Sequence, residues 1–154
     1  MRASQINGCA FCIDIHSKDA RVNGETEQRL YALSAWRETS FFTNRQRAAL
    51  AWTEALTLIT EGRAPDEVYA EVRKEFGEEE LVNLSLAIIT INGWNRLAIG
   101  FRKIPGEYEP HKNKPPSAST AGRMIRACTT SISIPQHSLY LINSLDWLIA
   151  SFGT

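Results

Sequence analysis

Three side chains near the amino end could do chemistry together: Cys9, Cys12 and His16, in the run Gln5-Ile6-Asn7-Gly8-Cys9-Ala10-Phe11-Cys12-Ile13-Asp14-Ile15-His16. On one regular helix of about 100° per residue, Cys12 falls about 60° and His16 about 20° from Cys9. The two sulfurs and the imidazole then share a face, with Gln5 on the same side. A Cys-x-x-Cys pair at this spacing can close a disulfide within one turn. A proton acceptor close by and a helix amino end both favour the thiolate, which is the reactive form. His16, one turn after Cys12, can take a proton directly or through water. Asp14 lies about 140° from Cys9 on the same helix and faces away.

Other chemistries compete for these residues. A zinc site wants four ligands, and Cys9, Cys12 and His16 supply three; the fourth would be Cys128, His111 or His137. Inert burial is open too, since a cysteine thiol packs as a small hydrophobe. Haem attachment is excluded because position 13 is Ile rather than His. A thioredoxin-type motif would follow a strand in a βαβ unit, and no strand pattern precedes residue 9. The redox dithiol is the reading favoured here.

The elements that must carry these residues read as helices throughout. Residues 3–22 read as one helix that stops at Asn23-Gly24. Thr26 opens a second through about Ala35, with Glu27 favourable in its first turn. Thr43 and Gln46 form a capping box ahead of a helix to Glu61, stopped by Gly62. Pro65-Asp66-Glu67 starts another that ends near Phe76-Gly77. Glu78, Glu79 and Glu80 suit the positive end of a last helix that runs to about Lys103. No stretch alternates with period two, so the fold class is all-α.

Within the last helix, Asn92, Asn95 and Arg96 lie one turn apart on an otherwise apolar surface. They read as a satisfied structural network or a subunit contact. Trp36, Trp52 and Trp94 read as core or interface rather than as a binding cage. The same helix, from Leu81 to Phe101, is apolar over most of its circumference, which predicts burial on all sides. In a unit of this size that implies burial against other copies of the chain.

Composition bounds the partners. The chain has 154 residues, 44% apolar and 22% charged, the make-up of one globular domain. Lys plus Arg equals Asp plus Glu at 17 each, which argues against nucleic acid as a partner. Three cysteines are too few for a secreted disulfide scaffold. No apolar stretch reaches about 18 residues, so no membrane span is predicted. The expectation is a soluble, cytoplasmic protein. The zero net charge hides a split: residues 1–110 carry 16 acids and 13 bases, whereas 111–154 carry one acid and four bases. Pro, Ser and Thr enrichment begins at the same place. Residues 1–110 therefore read as the folded unit and 111–154 as an appended, poorly ordered tail in which Cys128 has no assigned role.

The motif has a family likeness. Arg2 to His16, Gly24 to Tyr31, Trp36 to Thr39, Arg45 to Glu54 and Asn92 to Leu97 closely resemble AhpD-like alkylhydroperoxidases of the carboxymuconolactone decarboxylase superfamily. The likeness covers residues 2–110 and none of 111–154. It implies an all-helical fold assembled into trimers or hexamers, and a thiol peroxidase that needs no cofactor. On that pattern Cys12 matches the cysteine that attacks a hydroperoxide, Cys9 the partner thiol that resolves it, and His16 the histidine of the proton relay. An external dithiol reductant completes the cycle.

Two departures from the family pattern shape the expectations. The family relay includes a glutamate twelve residues before the first cysteine, a position that falls before Met1 here. The chain thus reads as an amino-terminally truncated copy or one with a late start, and Cys12 as a weaker nucleophile. The tail reads as frame-shifted or otherwise unselected sequence. Besides the peroxidase, two further readings follow: a decarboxylase-type lyase that needs neither sulfur, and an inactive truncated remnant.

Overall fold

Local sequence decides where each helix starts and stops. The computed structural model describes residues 1–110, which hold seven α-helices and a 3-10 turn; no strand occurs among the described residues. The all-α expectation is met. The helices are α1 (Arg2–Ile6), α2 (Ala10–Val22), α3 (Glu27–Ala32), α4 (Asn44–Thr57), α5 (Ile59–Gly62), α6 (Asp66–Glu75) and α7 (Glu78–Gly100), with the 3-10 turn at Leu33–Glu38. No described helix is long and apolar enough to cross a membrane. The tail, with Cys128, His111 and His137, lies outside the described residues.

The single helix expected over 3–22 is two helices. Gly8 takes φ +68°, a left-handed conformation that suits glycine, and the chain turns there before α2 begins. Downstream, Thr26 Oγ1 accepts the Arg29 N–H at 3.3 Å and caps α3. The Thr43–Gln46 box forms in both directions: Thr43 Oγ1 accepts the Gln46 N–H at 3.3 Å, and Gln46 Oε1 accepts the Thr43 N–H at 3.0 Å. The helix it opens ends at Thr57, earlier than expected, because Leu58 leaves helical geometry. The stop itself falls on Arg63 and Ala64, both at positive φ, rather than on Gly62.

The last helix closes at Gly100, short of Lys103. Arg102 turns left-handed, at φ +56°, and the Lys103 N–H returns to the Ala98 carbonyl at 2.9 Å. This bond pattern satisfies the helix's final carbonyls and releases residues 103–110 to cross back over α2. Lys18 Nζ then donates to the carbonyls of Gly106 at 3.1 Å and Tyr108 at 2.9 Å, and Tyr108 OH donates to Asp19 Oδ1 at 2.7 Å.

Packing centres on α4, α6 and α7, with α1 seated against α4 and α7. Val72, Phe76, Leu81, Leu84 and Ile88 are buried between them. Trp36 and Trp52 are buried as expected for core residues, while Trp94 is half-buried. The Arg45 guanidinium lies 3.9 Å from the Phe76 ring centre and also bonds Glu80 at 2.8 Å. Burial of α7 differs from the expectation. Leu81, Leu84, Ile88, Asn92, Asn95 and Ala98 form its buried stripe, but Val82, Leu86 and Ile89 are about half exposed or more in a single copy.

Candidate active site

Cys9 sits at the turn before α2 rather than within a helix. Its backbone is extended, at φ −83° and ψ 93°, and its sulfur caps α2 by accepting the Cys12 N–H at 3.3 Å. The geometry of one continuous helix therefore does not apply, and Gln5 belongs to a separate helix. The pairing of the two cysteines survives by another route, because a cap residue and the third residue of its helix lie close together. Both side chains are buried and present as thiols rather than as a disulfide. They cluster with Ala98 of α7, and Phe11 packs against the cluster. The Lys103 ammonium lies 5.8 Å from the centre of the Phe11 ring.

His16 follows one turn after Cys12 on α2 and is half-buried. Loss of hydration, and next the charge of the amino-terminal ammonium, push its pKa down to about 3. The imidazole is therefore neutral across the physiological range. Burial likewise pushes the Met1 ammonium down to about 6, with the charge of Cys12 acting in the opposite direction. Sequence reasoning gave no role to Met1, since nothing in a residue type reports which side chains its backbone amine will face.

Asn7, which precedes this turn, went unremarked at the level of sequence. Its Nδ2 donates to Asn92 Oδ1 at 2.8 Å and to Asn95 Oδ1 at 2.9 Å. Asn95 Nδ2 donates to Ser4 Oγ at 3.0 Å, and Asn92 Nδ2 to Thr57 Oγ1 at 3.0 Å. Asn92 and Asn95 thus form the satisfied network expected of them, and Arg96 joins it by donating to the Asn92 carbonyl at 2.8 Å. Asp14 is turned to other work: its Oδ2 accepts from Lys18 Nζ and from the Gly106 N–H, both at 3.0 Å. The Lys18 bond, foremost, holds its carboxyl below the usual carboxylate range. Among the described residues no cluster of three His, Cys, Asp or Glu side chains is placed to hold a metal ion.

Comparison with known proteins fits this arrangement. Residues 1–55, which include the whole Cys-x-x-Cys-x-x-x-His run, match the Carboxymuconolactone decarboxylase family. The chain is 54% identical over 99 residues to the uncharacterized protein YdfG of Bacillus subtilis, covering 64% of this chain and 67% of that one. It belongs to the AhpD-like branch of the carboxymuconolactone decarboxylase superfamily. The chain is also 28% identical over 87 residues to the uncharacterized protein YnjA of Escherichia coli, covering 56% of this chain and 47% of YnjA. Among solved structures, ATU0492 of Agrobacterium tumefaciens matches with a TM-score of 0.68 and 46% identity, over 70% of this chain and 73% of that one. That protein is described as of unknown function and as a candidate AhpD of antioxidant defence.

Proposed function

We propose that this AhpD-like protein is a thiol-dependent peroxidase that reduces alkyl hydroperoxides through a Cys9–Cys12 dithiol cycle. The observation that supports the reading is the cap itself: the Cys9 sulfur rests on the Cys12 backbone N–H, so both cysteines sit together at the amino end of α2. Ala98 and Phe11 give both thiols apolar surroundings. The Agrobacterium structure, described as a candidate AhpD of antioxidant defence, is in keeping with the same class of chemistry.

In this reading the Cys12 thiolate attacks the distal oxygen of the hydroperoxide, and the O–O bond breaks. Cys12 leaves as a sulfenic acid, and the alkoxide takes a proton from the Cys9 thiol and departs as alcohol. The Cys9 thiolate then attacks the sulfenic sulfur and forms the Cys9–Cys12 disulfide, and the departing hydroxide leaves as water by taking up the proton that Cys12 gave up on becoming a thiolate. An external dithiol restores both thiols by exchange and is itself oxidised to a disulfide. Neutral His16 serves this sequence as a hydrogen-bonding relay for protons and not as a fixed cation.

The chemistry is assigned to residues 1–110. A reducing cytoplasm suits it, since dithiol reductants there keep such pairs reduced. Assembly into a homo-oligomer is part of the reading. It is supported by the exposed Val82, Leu86 and Ile89 stripe of α7.

The test is the mass of the reduced protein after one equivalent of an alkyl hydroperoxide. A loss of about 2 Da, mapped to a bond between Cys9 and Cys12, is expected. No change in mass would leave the inactive remnant as the better reading. Loss of turnover in Cys12→Ala separates the peroxidase from a decarboxylase-type lyase, which would keep its activity.

A further inference from the structure

The turn between α1 and α2 is held more firmly than a surface turn requires. A primary amide has two N–H donors, and Asn7 directs both at α7, to Asn92 Oδ1 at 2.8 Å and Asn95 Oδ1 at 2.9 Å. Asn95 is fully buried and returns a bond to Ser4 Oγ at 3.0 Å. The Ser4 carbonyl in turn accepts the Cys9 N–H at 2.9 Å. One turn beyond Asn95, Ala98 packs on the two cysteines. The α7 stripe at 92, 95 and 98 therefore grips the turn on one side while Ser4 closes it on the other. Gly8, at φ +68°, is the residue that lets the chain meet both demands.

That grip fixes where the Cys9 sulfur lies relative to the Cys12 N–H. That bond is made with both residues as thiols, and closing a disulfide would redirect the Cys9 sulfur away from the cap. A turn held in this geometry favours the reduced state of the pair. We propose that Asn7 is a positioning residue that sets the reduction potential of the Cys9–Cys12 pair by pinning the turn to α7. The inference rests on the dithiol reading above. Removing the Asn7 amide frees the turn, weakens the N–H···S bond and shifts the equilibrium toward disulfide.

The experiment equilibrates full-length protein in glutathione buffers of graded ratio. The Cys9 and Cys12 thiols form one disulfide while glutathione disulfide takes both electrons and both protons and leaves as two glutathione thiols. The tryptic peptide 3–18 contains Cys9 and Cys12 but not Cys128, so its mass reads the pair alone. Asn7→Ala should shift the equilibrium about tenfold toward disulfide, or about 30 mV to lower potential, and the milder Asn7→Ser by about threefold.

Thr43→Ala, which removes a cap on α4 far along the chain, lowers stability but should leave the equilibrium unchanged. Equal equilibria in the wild type and both Asn7 variants, or an equal shift in Thr43→Ala, would overturn the inference and make Asn7 purely structural. A wild-type protein that forms no disulfide at any ratio would overturn the dithiol reading and this inference with it, an outcome distinct from equal equilibria in proteins that do form it.

Discussion

The Cys9 sulfur accepts the Cys12 N–H at 3.3 Å from a residue that is itself outside the helix. The cysteine thus does the work usually given to Ser, Thr, Asp or Asn, and a serine hydroxyl at position 9 can take over the cap. Cys9→Ser should therefore fold with stability within about 1 kcal/mol of wild type. It should also lose the resolving step. Hydroperoxide would then add about 16 Da at Cys12, as sulfenic acid, where the wild type loses about 2 Da. Cys12→Ser should show neither change on the peptide 3–18. Equal oxidation of the two serine variants would contradict the assigned roles.

Glu54 is a half-buried junction of the amino-terminal half. Its Oε1 accepts from Arg2 Nε at 2.7 Å and from Trp36 Nε1 at 2.9 Å, and its Oε2 accepts from Arg37. Burial alone would raise its carboxyl, but the bonds from Trp36, Arg37 and Arg2 together hold it below the usual carboxylate range. Glu54→Ala leaves three donors without their acceptor and should cost about 2 kcal/mol, read by urea denaturation. The loss should spread to α1 through Arg2. Because the folded pKa is depressed, the stabilisation from Glu54 is present above the unfolded pKa and fades as pH falls through the folded one.

What could be read in advance, and what could not, divides by range. Thr26, the Thr43–Gln46 box and Pro65 act on backbone within a few residues of themselves, so helix starts were legible from residue types alone. The break at Asn7-Gly8-Cys9 was missed because a continuous helical pattern through Cys9, Cys12 and His16 looked self-consistent. What decides against it is 85 to 88 residues away in sequence, in the bonds from Asn7 to Asn92 and Asn95. The stop at Arg63 was missed for the neighbouring reason that Gly62 satisfies the usual preference. The closeness of the two cysteines was legible because a capped turn and a helix both bring residues i and i+3 together. The family likeness carried the roles of Cys9, Cys12 and His16, which spacing alone left open.

His16 makes a pH prediction with a definite sign. Its folded pKa is pushed down to about 3, against 6.5 for an unhindered histidine. Between those values the unfolded chain binds more protons than the folded one, so stability rises with pH across that window and is lost on acidification. Melting temperature measured from pH 7 down to pH 4 should fall more steeply for the wild type than for His16→Gln. Parallel pH profiles for the two proteins would mean that the imidazole is well hydrated when folded.

Asp14 and Lys18 tie the segment after α7 to the helix that bears the cysteines. Asp14 Oδ2 accepts the Gly106 N–H at 3.0 Å, and Lys18 Nζ reaches the carbonyls of Gly106 and Tyr108. These are partly exposed groups, so Asp14→Ala should cost under about 1 kcal/mol of global stability. Its local effect should be larger: amide exchange over 104–108 should quicken about tenfold, along with tryptic cleavage after Arg102 or Lys103. Unchanged exchange there would show that Tyr108, through its bond to Asp19, holds the segment alone.

The last prediction concerns the outer face of α7. Val82, Leu86 and Ile89 are 57%, 48% and 61% exposed in a single copy, and they recur at spacings of four and three, along one stripe of the helix. Gly93, the next residue in that stripe, has open space where a side chain would stand, so a neighbouring backbone can approach closely there. Burying such a stripe against a second copy gains roughly 1.5–3 kcal/mol for each large apolar side chain removed from water. A carboxylate at its centre would have to be desolvated without a partner. Ile89→Glu should therefore convert an oligomer at micromolar concentration to monomer in sedimentation equilibrium, while leaving helix content and the Cys9–Cys12 chemistry of each folded copy in place. A wild-type chain that sediments as monomer would remove self-association from the reading. A variant that stays oligomeric would move the interface to another face of the molecule.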